Sequence, residues 1–347
     1  MKNRFKIGAL SNLSSRAKVI ICSLILMTSC EIDLQPLADE IDIELKRSID
    51  RGFDGILVYV NQAGKSSFYS AGWKNREKQI PADPHALFKI ASISKLYIAA
   101  ATTKLVADQK LSLDNTLLEL IPEVQGRIEN AETITLRMML QHRSGIPDYI
   151  DSPKLEHITP GDDYLAAAAI IFDESADFPP NKKYCYSNTN YLLIGEILDR
   201  TLGYSHHEYI KSAILMPLGL NNTFSLYSEV DSNAVMSGYV IGYDPDLKST
   251  RYTWPGGSMI ATAEDVGIFL RALIDGSLFN AEEQAIYSSV YEYEHTGWLP
   301  GYTSIARYHS DIDAVVIQFV NTSSNGMFWL ELERVYHRVV RILEKQY

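Results

Sequence analysis

The sequence has few cysteines, which leaves no basis for a disulfide framework. Its 347 residues contain three, Cys22, Cys30 and Cys185. The first two lie within or directly after an N-terminal stretch that is typical of a secretion signal, so the folded body would retain only Cys185. A disulfide within that body is therefore excluded, and we expect Cys185 to be a small, buried apolar residue.

Positive charge is also scarce once the N-terminus is set aside. The full chain carries 32 basic and 43 acidic side chains, a net charge of -11. Five of the basic side chains and none of the acidic ones lie in residues 1–29, so the remainder carries -16. Nucleic-acid affinity depends on Lys and Arg neutralising phosphates. This charge balance argues against nucleic acid as a partner.

The N-terminal apolar run, residues 19–27, is too short to cross a bilayer. It follows basic residues and ends in small residues before Cys30, which is the layout of a signal peptide. The last five residues of this stretch, Leu-Met-Thr-Ser-Cys, resemble a bacterial lipobox, whose cysteine carries lipid. We predict a lipoprotein signal peptide at 1–29, a tether at 30–36, and a bacterial cell-envelope location, lipid-anchored to a membrane and facing the periplasm or exterior. An ordinary signal peptide and a buried helix are the alternatives.

What the sequence does contain is a change of hydrophobic period along the chain, with strand patterns at both ends and helical patterns between them. The predicted strands are 55–60, 67–71, 304–308 and 314–320. The predicted helices are 37–49, 92–106, 135–142, 162–172, 189–202, 206–216, 263–274 and 329–343. This order predicts an α/β (α+β) fold with an antiparallel sheet that is flanked by helices and built from both chain ends. The α/β part comprises about 37–95 and 255–347, and an all-helical insertion comprises about 96–254.

The first motif with chemical meaning is Ser92-Ile93-Ser94-Lys95. Positions i and i+3 share one face of a helix, so the Ser92 hydroxyl and the Lys95 amine can meet. A neutral lysine could accept the serine proton if burial or a nearby cation lowers its pKa. Backbone N–H groups at the start of the helix would favour an oxyanion. The alternative is a solvated surface pair without function.

A second motif, Tyr186-Ser187-Asn188, precedes a predicted helix. In an extended segment Tyr186 and Asn188 would point to the same side. The phenol could then relay a proton, and the amide could orient the substrate or a lysine. The alternative is a packed Tyr186 with Asn188 as the N-cap of the helix.

The third motif is His295-Thr296-Gly297-Trp298, where a strand is expected. Glycine at position 297 would let a ligand approach the backbone closely. A substrate could lie along this strand edge, with the Trp298 N–H as a second oxyanion donor beside that of Ser92.

In this order and spacing, the three motifs resemble the serine β-lactamase and penicillin-binding-protein family, in its class C-like branch. The flanking sequence matches as well, at 111–114, 134–136, 140–148, 217–220, 256–257 and 261–265. The resemblance covers residues from about 55 to the C-terminus and implies a β-lactamase/transpeptidase-like serine hydrolase domain at 37–347.

For the site, the resemblance implies acylation of Ser92, proton handling by Lys95 and Tyr186, and an active-site amide at Asn188. Either Lys95 or Tyr186 could be the base. The third motif, residues 295–297, would bind substrate. No cofactor or metal is implied, and His142 would have a structural role because no metal-ligand spacing accompanies it.

One departure from the family pattern bears on the substrate. His295 stands where β-lactamases and many transpeptidases carry the lysine that helps hold a substrate carboxylate. A histidine is mostly neutral near pH 7, so a fixed positive charge is lost. The resemblance associates histidine at this position with esterase-like and D-aminopeptidase-like relatives, and we expect inefficient β-lactam hydrolysis.

The leading hypothesis is thus a serine hydrolase that cleaves an ester or amide, with a small molecule or short peptide as substrate, such as a D-amino-acid or cell-wall peptide. One alternative is a catalytically silent lipoprotein whose pocket binds muropeptide or a protein partner. A weak β-lactamase, and an enzyme that depends on Cys185 or on a metal, are further alternatives. We expect residues 222–254 to shape the pocket, although they carry no recognisable motif.

Overall fold

The computed structural model describes residues 35–155, 163–324 and 326–345. The predicted signal peptide and the predicted lipidation site Cys30 lie outside the described residues. Among the helices of these ranges, none is both long and apolar enough to cross a membrane.

The strands are β1 (Gly55–Gln62), β2 (Lys65–Asn75), β3 (Ile80–Pro81), β4 (Phe88–Lys89), β5 (Thr223–Phe224), β6 (Tyr239–Val240), β7 (Ile260–Ala261), β8 (Glu294–Leu299), β9 (Tyr302–His309), β10 (Ala314–Val320) and β11 (Thr322–Ser323). The α-helices are α1 (Gln35–Asp50), α2 (Ser94–Ala107), α3 (Leu117–Leu120), α4 (Leu136–Leu140), α5 (Tyr164–Ala168), α6 (Thr189–Leu202), α7 (His206–Ile210), α8 (Ala263–Asp275), α9 (Ala281–Ser288) and α10 (Gly326–Glu344).

Six strands form the main sheet, in the order β3-β2-β1-β10-β9-β8. Each neighbouring pair is antiparallel, and β1 pairs with β10 so that Ile56 lies opposite Val320. Strands from both ends of the chain therefore share one sheet, which confirms the predicted fold class. Strand β8 lies at the edge of this sheet, so one side of it is available to a ligand.

Helices cover both faces of the sheet. Gln318 of β10 donates from its side chain to the carbonyl of Leu332 in α10, at 3.1 Å. Its neighbour Ile317 points to the other face, as does Tyr59 opposite it in β1. The Tyr59 ring packs on α8 at Gly267, where a Cβ would lie 2.1 Å from a ring carbon. A strand covered on both faces is mainly apolar, and its one polar side chain, Gln318, is hydrogen-bonded, which explains the buried run of β10.

Helix α2 lies in the interior and carries the first motif. It follows a 3₁₀ turn, Ala91–Ile93, and eleven of its fourteen residues are buried. A helix that is buried on nearly all sides forms part of the core. A charged side chain on it must then find its partners inside the protein, and this applies to Lys95, which is 1% exposed.

The region predicted as all-helical, 96–254, also contains strands, so that part of the prediction is wrong. Strand β5 joins β4 and β7 in a three-stranded sheet, and β6 pairs with β11. Two-residue strands are too short to show an alternating pattern. The sequence interpretation also missed α9 and the short strand β3.

Candidate active site

Ser92 lies in a turn whose backbone is held under strain. The preceding residue, Ala91, has φ of 52°, in the left-handed region. A residue with a Cβ pays roughly 1 kcal/mol or more for this conformation. The Ser94 hydroxyl donates to the Ala91 carbonyl at 2.6 Å, and Ile90 N–H donates to the Met259 carbonyl at 3.1 Å. These bonds fix the turn and hold Ser92 at the wall of a cleft.

The structure brings Ser92 and Lys95 together, as the i, i+3 spacing predicts. The Lys95 Nζ lies 3.0 Å from the Ser92 Oγ. It also donates to Asn188 Oδ1 at 3.0 Å and to the Gly256 carbonyl at 2.8 Å. Gly256 has φ of 78°, and a Cβ there would lie 3.0 Å from the Lys95 Cγ. The sequence marked the Gly256-Gly257 pair as a match without assigning it this role.

Asp148 fixes the orientation of the Asn188 amide. The Asn188 Nδ2 donates to Asp148 Oδ2 at 2.9 Å, which turns the amide oxygen towards Lys95. Asn188 does occupy the N-cap position of α6, but its side chain makes no capping bond there and contacts Lys95 and Asp148 instead. Asp148 is a residue that the sequence interpretation missed. Its position at the end of the matching 140–148 stretch was the available signal.

This network orients the lone pair of a neutral Lys95. The Gly256 carbonyl and the Asn188 amide oxygen can only accept hydrogen bonds, so together they hold two N–H groups. The remaining position faces the Ser92 hydroxyl, which can donate. Burial lowers the pKa of Lys95 to about 7, although the Asp148 carboxylate acts in the opposite direction. Burial lowers the pKa of Lys95, as the sequence predicts. The nearby charge, however, is the Asp148 anion and not a cation.

Tyr186 reaches Ser92 from another side. Its hydroxyl donates to the Ser92 Oγ at 3.0 Å. Burial raises the pKa of Tyr186, so the phenol stays protonated at neutral pH. Its ring stacks on His142 with the centroids 4.3 Å apart. The His142 Nδ1 accepts from the Ser187 N–H at 3.2 Å, and His142 contacts the phenol ring rather than the nucleophile, as expected of a structural residue.

The third motif forms strand β8, with Thr296, Gly297 and Trp298 in the wall of the same cleft. A Cβ on Gly297 would lie 2.3 Å from the Ser304 Oγ and 2.6 Å from the Ile90 carbonyl oxygen. The protein's own turn before Ser92 therefore requires the glycine, and the close approach of a ligand at this position stays a prediction. The role of the Trp298 N–H as an oxyanion donor stays a prediction.

His295 supplies no fixed charge. Its ring lies 6.2 Å from that of Tyr186 and 6.3 Å from that of Tyr291, between centroids. Its Nδ1 is hydrogen-bonded to the Thr296 carbonyl. Burial, together with the Lys95 ammonium, lowers the pKa of His295 to about 3. The ring is therefore neutral at pH 7, in agreement with the expectation from the sequence.

The cleft that contains these groups has a volume of about 590 Å³. Residues 251–257 form one wall of it, within and just beyond the segment 222–254 that we expected to shape the pocket. Six aromatic side chains line it: Tyr149, Tyr186, Tyr252, Trp254, Trp298 and Trp329. Among the described residues, Arg251 is the one charged side chain at its surface. The cleft therefore suits an organic substrate with apolar groups.

Cys185 is exposed, so the prediction of a buried apolar residue is wrong. Its N–H donates to the His142 carbonyl at 2.9 Å, and the neighbouring Tyr186 and Asn188 point into the site. Successive side chains of an extended segment point in opposite directions, which turns Cys185 outwards. It does not line the cleft with Ser92. Within the part of the chain that the structure describes, no group of three or more His, Cys, Asp or Glu side chains is arranged to hold a metal.

The sequence of the chain is similar to those of known proteins. The family described as Beta-lactamase matches residues 38–290. Penicillin-binding protein 4* of Bacillus subtilis is 25% identical over 287 residues, which are 80% of this chain and 59% of that protein. The putative penicillin-binding protein PbpX of Bacillus subtilis is 25% identical over 316 residues, 85% of this chain and 76% of that protein. The chain thus spans about 59% of the length of the first of these relatives.

Solved structures show the same fold. D-amino acid amidase from Ochrobactrum anthropi superimposes with a TM-score of 0.77 at 22% identity, covering 90% of this chain and 99% of that one. The hydrolase EstCE1, which is described as having promiscuous acyltransferase activity, superimposes with a TM-score of 0.71 at 18% identity, covering 90% and 100%. At these identities the likeness concerns the fold.

Proposed function

The chain belongs to the beta-lactamase family and is a serine hydrolase of that type, and from this premise we propose that it cleaves an ester or amide through an acyl-enzyme on Ser92. The observation that carries the proposal is the position of the Ser92 Oγ, 3.0 Å from both the Lys95 amine and the Tyr186 hydroxyl. These distances are within the reach that proton transfer requires.

In the proposed reaction, neutral Lys95 takes the proton of Ser92 as the Oγ attacks the substrate carbonyl. The bond from Oγ to the carbonyl carbon forms, and an oxyanion develops that the N–H groups of Ser92 and Trp298 would stabilise. Tyr186, protonated because burial raises its pKa, donates its proton to the leaving group as that bond breaks. The protonated Lys95 then returns its proton to the deprotonated Tyr186 through the position that the leaving group has left. Water attacks the acyl-enzyme by the same steps in reverse and releases the acid.

This assignment distinguishes the roles of the two candidate bases. Tyr186 donates to Ser92 and holds its proton at neutral pH, which favours it as the acid. Lys95 has a pKa of about 7 and its free lone pair faces Ser92, which favours it as the base.

For the substrate, we propose a small ester or amide, such as a D-amino-acid or cell-wall peptide. The solved structures with a similar fold include a D-amino acid amidase, which supports this choice. Neutral His295 lacks the charge with which β-lactamases hold a carboxylate. We therefore expect β-lactam hydrolysis to be slow. The sequence around Cys30 supports a lipid anchor, and we propose a location in the bacterial cell envelope on that basis.

A fluorophosphonate probe tests the proposal. Phosphonylation of an activated serine needs a working nucleophile, so we expect labelling of the wild type at Ser92 and none of the Ser92→Ala variant. Mass spectrometry of the labelled peptide identifies the site. Unlabelled wild-type protein with a normal circular dichroism spectrum would overturn the proposal in favour of a catalytically silent, ligand-binding lipoprotein. Labelling that requires Cys185 or disappears with chelator would overturn it in favour of thiol or metal chemistry.

A further inference from the structure

One wall of the cleft is held by a buried cation outside the reactive centre. Lys89, in β4, is 2% exposed. Its Nζ donates to the carbonyl oxygens of Leu247, Lys248 and Thr250, at 3.3, 2.6 and 2.7 Å. We call residues 247–254 the wall segment. A buried amine must be satisfied by hydrogen bonds, so these three carbonyls fix the first half of the wall segment in place.

Aromatic rings complete the surroundings of Lys89. Its Nζ lies 4.8 Å from the ring centroid of Tyr227, 5.4 Å from that of Tyr252 and 5.1 Å from that of Tyr302. Burial lowers the pKa of Lys89 to about 7, with Asp246 acting in the opposite direction. Charged or neutral, the amine keeps at least two N–H donors for the carbonyls. The wall segment is therefore preorganised beside the cleft, with Tyr252 facing both the cleft and Lys89.

Arg251 follows directly after this fixed part. Its side chain is exposed at the cleft surface and makes no hydrogen bond or ion pair with any residue that the structure describes. Among the described residues, the three other basic groups near the cleft, Lys89, Lys95 and His295, are unsuited to bind an anion. Lys89 donates to three backbone carbonyls, the Lys95 amine is already engaged with Ser92, Asn188 and Gly256, and His295 is neutral. Arg251 is left as the group that can attract a negative charge.

We propose that Arg251 is a specificity-determining residue that binds a carboxylate of the substrate. Guanidinium groups recognise carboxylates by paired, charge-assisted hydrogen bonds. The neighbouring Tyr252 and Trp254 offer apolar surface next to this charge. The substrate class is then an ester or amide that combines a carboxylate with an apolar group. This inference rests on the proposed function, since it concerns what reaches Ser92.

Matched p-nitrophenyl esters test the inference. The butyrate ester is neutral, the hydrogen succinate ester carries a carboxylate on an acyl chain of equal length, and 3-carboxy-4-nitrophenyl butyrate carries it on the leaving group. We expect kcat/KM for at least one anionic ester to exceed that for the neutral ester. In Arg251→Gln this preference falls by about tenfold, the size of one charge-assisted contact. The readout is the ratio of kcat/KM for each anionic ester to that for the neutral butyrate, measured on the same variant.

Two further variants sharpen the result. Arg251→Lys keeps the charge but loses the paired geometry, so it restores part of the anion preference. Lys248→Gln removes an equal charge three residues away whose side chain does not line the cleft, and it leaves the preference unchanged. Equal selectivity of wild type and Arg251→Gln, with Ser92 still labelled by fluorophosphonate, overturns this inference alone. Loss of labelling in the wild type overturns the proposed function instead.

Discussion

The reactive centre and the wall segment treat polar groups in opposite ways. In the centre, Lys95 bonds to Ser92, Asn188 and Gly256, and Asn188 is in turn held by Asp148. At the cleft surface of the wall segment, Arg251 makes no bond to a described residue, and the indole N–H of Trp254 is buried without a partner there. The protein thus completes its chemistry internally and leaves recognition to be completed by the substrate.

This contrast has a kinetic consequence. Groups that are already paired with one another should act in the chemical step, and their loss should lower kcat. Groups that await a ligand should act in binding, and their loss should raise KM or change selectivity. The following variants test that division, beginning with the largest expected effect.

Lys95→Met removes the proposed base and should abolish the activity. The methionine side chain has a similar length and shape without an amine, so we expect kcat to fall by about 10³-fold or more. Because burial of the amine costs free energy in the wild type, we expect the melting temperature to change by only a few degrees. Activity on p-nitrophenyl esters and a thermal scan measure the two effects. Activity within tenfold of wild type would contradict the assignment of Lys95 as the base. It would also remove the difference between the reactive centre and the wall segment.

Tyr186→Phe should lower kcat by about 10²-fold, the lower part of the range for a lost acid group. The ring would still stack on His142, so KM and folding should change little. Tyr184→Phe is the matched control, since Tyr184 is exposed and its hydroxyl makes no bond with Ser92. A comparable loss in both variants would show that the effect comes from this loop as a whole rather than from the Tyr186 hydroxyl.

The pairs within each motif could be predicted because local geometry places them. The i, i+3 spacing of Ser92 and Lys95 holds on any helix, and the alternation of Tyr186 and Asn188 holds in any extended segment. Asp148 and Gly256 could not be assigned in this way. Their partners Asn188 and Lys95 lie 40 and 161 residues away in the sequence, and only the folded chain brings them together.

The fold shows the same limit. The prediction gave 189–202 and 314–320 with the bounds that the structure has, because these are long segments with a clear period. It missed β5 and β6, since two residues carry no period. The prediction also placed Cys185 in the interior because cysteine is usually buried. Its neighbours Tyr186 and Asn188 point inwards, so Cys185 faces the solvent.

Asp148→Asn should shift the pH dependence of the reaction without abolishing it. Lys95 must be neutral to act, so kcat/KM should rise with pH and level off above about 7. The Asp148 carboxylate raises the pKa of Lys95, so its removal should move this rise in kcat/KM to lower pH. The new amide oxygen can still accept from Asn188. Asp151→Asn, an exposed carboxylate three residues away, is the control. If the rise in kcat/KM stays at the same pH or moves to higher pH, Asp148 does not raise the pKa of Lys95.

Trp254→Phe should have the smallest effect. It is also the most direct test of the difference between the reactive centre and the wall segment. The phenyl ring can keep the edge-on packing against Tyr149, whose centroid lies 5.4 Å from that of Trp254. The variant removes an N–H that has no partner among the described residues, so stability should not fall. If a substrate accepts a hydrogen bond from this N–H, KM rises by roughly threefold while kcat is unchanged. Trp73→Phe, outside the cleft, controls for the loss of an indole. A tenfold fall in kcat at constant KM would place the wall segment in the chemistry, because a residue that only binds substrate cannot act on the chemical step alone.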